Sequence, residues 1–424
     1  MHQDTNYTTM KRIYYLIIVT GIILISCQKD NDNPGTSPDT PLPIVLNEAG
    51  QNVVESTNEF GLDIFQLIYN NEPVGKNIFI SPTSISLALA MTLNGANNDT
   101  EDSMIYALRY SQFTPEQINQ TFHDLMEGLT TVDEKVLLEI ANSIWYRQEF
   151  YVEPDFLDVN STFYNAEVAA LDFNSPEAVN TINNWVSQET HGKIPTIINS
   201  IDPDNVMFLI NALYFKGIWS TEFNEDDTQD ETFFLADGSQ KTVPMMHFEE
   251  ETGYYENDLF QACELDYGRR NFSMVVLLPK SGKNLDELIA QLTQENWNTW
   301  IASINTAKVN LGLPKFTFDY EKRLNDILGL MGMGIAFDPS QADFTGINSG
   351  GNLYIDFVKH KTFVEVNEEG TEAAAATIVG ISLTGMPTDI EYMKVNRPFL
   401  FAIREKTTNT LVFMGKVAEP MVED

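Results

Sequence analysis

The stretch from His360 to Thr384 reads HKTFVEVNEEGTEAAAATIVGISLT, and two local chemistries meet inside it. Thr362, Val364 and Val366 alternate with Phe363 and Glu365, and β-branched residues suit a pleated surface, so the stretch begins as a strand. Gly370, which has permissive dihedrals, is a pivot. It is followed by Thr371, Glu372, Ala373, Ala374, Ala375, Ala376 and Thr377, with no Lys or Arg between Gly370 and Lys394. Alanine and glutamate are strong helix formers, so one reading of this run is a helix. Period two gives another. One face would carry Thr371, Ala373, Ala375, Thr377, Val379 and Ile381, and the other Glu372, Ala374, Ala376, Ile378, Gly380 and Ser382. The first face is entirely small or apolar, so a sheet can bury it without stranding a charge. Such a segment can live outside a sheet and also slot into one.

Working outward, MKVNRPFLFAI (393–403) and LVFMGKVAEP (411–420) lie near the C-terminus. Upstream, NIFISPTSISLALAMTLNGA (77–96) holds a helix capped by Ser81, with Pro82 in its first turn and a face that is hydrophobic almost all round. NALYFKGIWSTEF (211–223) lies between these and the helix. Together with EVNEEGTEAAAAT (365–377), these five segments resemble, in order, the motifs of the serpin family. The resemblance runs from roughly Asn52 to Pro420.

That resemblance implies an α+β serpin fold with three β-sheets, about eight to nine helices and an exposed reactive-centre loop, in a single domain over residues 47–424. It implies that Glu368, Glu369, Gly370, Thr371, Glu372, Ala373, Ala374, Ala375, Ala376 and Thr377 form the hinge of the loop. Ser81, Ser84, Asn211 and His360 match family positions where the main sheet opens, and Trp219 matches the tryptophan beneath the point where the loop enters. Family spacing from Glu368 places the reactive bond at Thr384–Gly385. The segment is about three residues longer than in compact relatives, which makes Leu383–Thr384 a second candidate. Met386 precedes Pro387, and a prolyl amide is a poor protease target.

The implied activity is suicide inhibition of serine proteases, and also of cysteine proteases, through a covalent complex with the target. With no basic residue near the bond, elastase-, chymotrypsin- or subtilisin-like enzymes fit better than trypsin-like ones. The alternative within the fold is a non-inhibitory binding or surface-display module, whose expected mark is a bulky or charged residue on the inserting face. No cofactor and no metal are expected, nor is heparin-type activation, because residues 101–135 carry only Arg109, His123 and Lys135 as basic residues. A monomer is expected.

The formal net charge of −36, from 61 acidic and 25 basic residues, argues against nucleic-acid or anionic-membrane partners. Lys11 and Arg12 precede an apolar run from Ile13 to Ile25. At 13 residues it is shorter than the roughly 20 a membrane span needs, but it suits a secretory leader. The run ends in Leu24-Ile25-Ser26-Cys27, which resembles a bacterial lipobox, and Met10 is an alternative start. The expectation is therefore a lipoprotein signal over 1–26, lipidation at Cys27 and a flexible linker over 27–46 rich in Pro, Asp, Ser and Thr. Membrane contact would be through that lipid only. The polar run Gln28–Asp32 resembles a surface-export signal and equally suits a plain tether. An outer-membrane lipoprotein is expected, on the cell surface or the periplasmic face, with the extracellular side favoured.

Without residues 1–26 the balance is 60 acidic to 23 basic and Cys263 is the one internal cysteine, expected buried in a strand. No internal disulfide is then available, so stability must come from the core. Residues 52–69, 153–164 and 324–334 read as helices, the last stopped by glycines. EIANSIWYR (139–147) and NFSMVVLLPK (271–280) read as strands, and NLGLPKFTFDY (310–320) as a strand running into a loop. Residues 182–198 resemble the family's helix and loop leading into the central strand. The histidines at 2, 123, 191, 247 and 360 show no metal-pair spacing, and there is no GxSxG elbow, Walker loop or dinucleotide fingerprint. An enzyme is not expected.

Overall fold

The structure, a computed structural model, describes residues 40–371 and 390–421. Along the chain the helices are α1 (Glu48–Asn71), α2 (Pro82–Leu93), α3 (Asn98–Ala107), α4 (Pro115–Thr131), α5 (Pro154–Tyr164), α6 (Pro176–Glu189), α7 (Leu285–Ile289), α8 (Gln294–Ala302) and α9 (Asn325–Leu328). The strands are β1 (Ile78–Ile80), β2 (Val136–Arg147), β3 (Glu167–Leu171), β4 (Met207–Ile218), β5 (Gln229–Phe234), β6 (Gln240–Glu256), β7 (Phe260–Tyr267) and β8 (Phe272–Pro279). They continue with β9 (Asn305–Pro314), β10 (Phe316–Arg323), β11 (Lys359–Val366), β12 (Gly370–Thr371), β13 (Ile390–Lys394), β14 (Phe399–Glu405) and β15 (Leu411–Val417).

The strands form a six-stranded sheet, ordered β10-β11-β12-β4-β2-β3, and a nine-stranded one, ordered β1-β15-β14-β8-β7-β6-β9-β13 with β5 beside β6. Two of the three expected sheets are thus continuous. The long strand β6 joins them, pairing with β5 and β9 along its length and with β7 at its far end.

Helix α2 is the pillar beneath the smaller sheet. The Ser81 hydroxyl accepts from Ser84 N at its start, and of its residues only Ala88 is not fully buried. Strand β11 buries His360, Thr362, Val364 and Val366 in strict alternation, as the period-two reading requires.

Two elements depart from the sequence reading. Residues 310–320 are not a strand and a loop but two strands in different sheets. Pro314 ends the β9 ladder, having no N–H to donate. The chain crosses at Lys315, whose N–H donates to Pro244 O (2.9 Å), and Phe316, Phe318 and Tyr320 then bury one face of β10. Residues 324–334 are α-helical only over Asn325–Leu328. Beyond them Gly332 sits at φ +107°, and Tyr106 occupies the space a side chain there would need.

Candidate functional site

The site grows from the turn after β11. The Asn367 side-chain oxygen accepts from Glu369 N (3.1 Å) and Gly370 N (3.2 Å), and Asn367 N donates to Gly370 O (3.0 Å), so the chain reverses within four residues. Gly370 lies at φ +154°, and a Cβ there would stand 2.0 Å from Gly217 O, so only glycine fits.

Three contacts hold the turn against the end of β4. Trp219 donates from its backbone to Glu369 O (2.8 Å) and from its indole to Asn367 O (3.0 Å), and Phe223 N donates to Glu368 O (3.0 Å). Trp219 is buried and stacks on Tyr267, with ring centroids 4.3 Å apart. Glu368 is buried as well. Its carboxylate meets Lys315 Nζ at 2.7 Å and accepts from the Thr228 hydroxyl at 2.7 Å. Burial pushes this carboxyl up, but Lys315 and Thr228 outweigh it and hold it below the ordinary range.

Past the turn, Gly370 and Thr371 form the two-residue strand β12, wedged between β11 and β4. Gly370 pairs with Ile218, and Thr371 with Gly217 on one side and Val366 on the other. The Thr371 side chain points into the core, its hydroxyl 2.7 Å from that of Tyr267. Thr371 therefore belongs to the inward face, as the period-two reading has it.

Among the described residues β12 is the sole hydrogen-bonded link between β11 and β4. Below it the two strands stand apart, and a cavity of about 430 Å³ lies between them. Its walls include Ile85 and Leu89 of α2, Leu209 and Asn211 of β4, His360 of β11, and Ile197 from the segment after α6.

On the β11 bank, His360 Nε2 accepts from Ser81 N (3.0 Å), and the Ser81 hydroxyl donates to Val412 O (2.7 Å) and accepts from Ser84 N (3.1 Å). Burial drives the imidazole pKa down to about 3, so the ring is neutral. Asn211 is not joined to this group. It sits on the β4 bank and donates to Asn142 Oδ1 (2.8 Å), while its own Oδ1 is buried without a partner. The structure thus brings Ser81, Ser84 and His360 together, places Asn211 across the slot and sets Trp219 above its mouth.

The segment after α6 covers the slot from the front and grips both banks. Lys193 Nζ meets Glu365 of β11 (3.2 Å) and Lys361 Nζ donates to Thr196 O (3.2 Å), while His191 meets Glu139 of β2 (2.5 Å). Ile194, Ile197 and Ile198 pack with Phe208 and Ile210.

The expected hinge residues Glu372–Thr377, the candidate bonds at Leu383–Thr384 and Thr384–Gly385, and Cys27 lie outside the described residues. Cys263 is buried in β7, and burial pushes its thiol far above the ordinary range, with Glu264 adding to the effect. Among the described residues no group of His, Cys, Asp or Glu could hold a metal ion. Sequence reasoning passed over Tyr267, Lys315, Thr228 and Asn142. Each lies far along the chain from its partner in the site or in another strand, and none carries a local motif.

The family model described as Serpin (serine protease inhibitor) matches residues 55–420. The leukocyte elastase inhibitor of Sus scrofa is 37% identical over 377 residues, covering 86% of this chain and 98% of the relative. A serpin-like protein of Thermococcus kodakarensis is 33% identical over 430 residues, covering 97% of this chain and 99% of the relative. The crystal structure of the thermophilic serpin tengpin in its native state superposes with a TM-score of 0.80 at 36% identity, covering 88% of this chain and 95% of tengpin.

Proposed function

The chain belongs to the serpin family, and from that premise we propose that it is a suicide inhibitor of serine proteases, and of cysteine proteases with a similar acyl-enzyme. The protease nucleophile attacks the carbonyl carbon at Thr384. An ester (or thioester) to that carbon forms, the peptide bond to Gly385 breaks, and the new amine on Gly385 leaves with the proton delivered by the protease's own acid. The freed hinge then runs down the slot as a further strand between β11 and β4. Loop insertion of this kind joins two effects, the addition of a strand to a sheet and the release of stored strain.

One observation carries this reading, the pair of registers at β12. Thr371 faces Gly217 on β4 and Val366 on β11. Extending both antiparallel ladders by six residues brings Thr377 opposite Asn211 on one bank and opposite His360 on the other. Ala373 and Ala375 then fall on the same inward face as Thr371, and the unpartnered Asn211 oxygen meets a hydroxyl that can donate to it. Val379 and Ile381 follow into the cavity beside Leu209. No bulky charge stands on that face, which favours inhibition over a non-inhibitory binding module.

From Thr371 to Thr384 the inserted strand is 14 residues, about 46 Å at about 3.3 Å per residue. A covalently attached protease would be carried that distance and its site distorted before water could release it. Ladder formation and burial of the small face drive the step, held back in a kinetically trapped native form.

The absence of Lys and Arg from Gly370 to Lys394 favours elastase-, chymotrypsin- or subtilisin-like targets, and the pig relative is named for inhibition of leukocyte elastase. Lipidation at Cys27 and a linker to residue 46 would stand the inhibitor off an outer membrane, facing extracellular proteases.

Mixing the protein with elastase- and subtilisin-type proteases, followed by denaturing electrophoresis, tests the proposal. An adduct that survives denaturation, with the summed mass of protease and inhibitor less the released peptide Gly385–Asp424, supports it. A clean cut with no adduct points to the binding-module alternative.

A further inference from the structure

An amide side chain has a donor end and an acceptor end, so a partner that fixes one end decides what the other offers. Two such side chains stand in line behind the slot. Asn142 of β2 and Asn211 of β4 are directly opposed in the antiparallel ladder. Asn142 is buried, and its Nδ2 donates to Tyr164 O at 2.8 Å and lies 3.4 Å from Met126 Sδ. Tyr164 is the last residue of α5, and its carbonyl is one of those a helix end leaves without an intrahelical donor. With the donor end of Asn142 taken, its Oδ1 faces β4 and accepts from Asn211 Nδ2 at 2.8 Å. Asn211 is thereby turned so that its own oxygen is left buried without a partner.

The carbonyl that starts this line is itself held. Tyr164 is fully buried, and its hydroxyl donates to Asn119 Oδ1 of α4 at 2.7 Å. Asn119 exchanges bonds with Asn94 at the end of α2, donating at 2.9 Å and accepting at 3.1 Å. Turning the Asn211 amide over would set its oxygen against the Asn142 oxygen, two acceptors face to face in the core. Turning Asn142 as well would set its oxygen against the Tyr164 carbonyl. The line therefore has one consistent state, and in it the β4 bank offers an acceptor to whatever enters the slot.

We propose that Asn142 is a positioning residue for loop insertion. Anchored on Tyr164 O, it holds the Asn211 oxygen toward the slot and so selects a side chain with a hydroxyl at position 377. This role rests on loop insertion and on the six-residue extension of the ladders. Asn142 does not line the cavity, so it acts on the entering strand only through Asn211. The effect arises when Thr377 reaches Asn211, and it belongs to the cut form alone.

A double-mutant cycle on the full chain tests this, with Thr377→Val made in the parent, in Asn142→Leu and in Asn142→Asp. Leucine has the branching of asparagine but neither donor nor acceptor, so Asn211 becomes free to turn. The carboxyl of Asn142→Asp, kept protonated by burial and by the Tyr164 carbonyl, still donates to Tyr164 O and accepts from Asn211 Nδ2. Denaturant titration of uncut and nicked protein at one concentration reads the folded-to-unfolded ratio. In the nicked parent and nicked Asn142→Asp, Thr377→Val should lower that ratio about fivefold, and in nicked Asn142→Leu by less than about twofold. The same factor in all three backgrounds overturns the proposal and makes Asn142 an ordinary structural contact. So does loss of the effect in Asn142→Asp. Asn142→Ala takes the place of Asn142→Leu if the leucine variant does not fold. A nicked parent no more stable than the uncut one sinks insertion itself, and an equal Thr377→Val effect on uncut and nicked parent sinks the register. The proposal falls with either, and both are read from the parent before any Asn142 variant is compared.

Discussion

The hydroxyls of Tyr267 and Thr371 lie 2.7 Å apart in the core, although 104 residues separate them in the chain. This contact places the first residue past Gly370 inside the sheet, on the face that also carries Val366 and Val364.

Replacing Thr371 with Arg puts an unpaired guanidinium against the stacked rings of Tyr267 and Trp219. Burying it there costs several kcal/mol, so the hinge should stay outside and insertion should slow. The expected outcome is a substrate in place of an inhibitor, seen as a several-fold rise in the moles of protein consumed per mole of protease inactivated. An unchanged stoichiometry would mean that the inward face has been misassigned.

Thr377 tests the registers. Its hydroxyl should reach the Asn211 oxygen only after insertion, so Thr377→Val should leave the uncut form alone and weaken the cut form by about 1 kcal/mol. Denaturant titration of uncut and nicked samples measures both. Equal effects on the two forms would contradict the six-residue extension of the ladders.

His360 sets a pH dependence with a definite sign. Its folded pKa, about 3, lies below the unfolded value of about 6.5. The stabilisation is therefore complete above about pH 6.5 and is lost as pH falls from there toward 3. At pH 5 the loss is about 2 kcal/mol. His191 and His247 each meet a carboxylate, so the contribution is isolated by comparison with His360→Gln, whose amide oxygen can still accept from Ser81 N. Equilibrium unfolding at pH 7 and pH 5 should show the parent losing about 2 kcal/mol more than the variant.

The alternation from Thr362 to Val366 announced β11 and its buried face, because a half-buried strand writes its geometry in period two. Ser81-Pro82 announced the start of α2 in the same way, through capping chemistry. Other parts left no local trace. Asn211 matched a family position beside His360, yet nothing in NALYF says that β4 and β11 stand apart or that the Asn211 amide turns to Asn142. Residues 310–320 read as one strand running into a loop, whereas Lys315 carries the chain between sheets and holds Glu368. The joining of two sheets through β6 depends on pairings of distant segments, which composition and periodicity do not encode.

Loop insertion requires that cleavage release stored stability. Limited cleavage of the loop near Thr384 by a metalloprotease, which forms no acyl-enzyme and so is not trapped, gives a nicked protein whose melting can be compared with the intact one. Burying Val379, Ile381 and Leu383 is worth about 1.5–3 kcal/mol each, and in a large domain each kcal/mol moves the midpoint by about 2 °C. Nicking should therefore raise the melting temperature by about 10 °C or more. A melting temperature that stays where it was, or falls, would contradict spring-loaded inhibition.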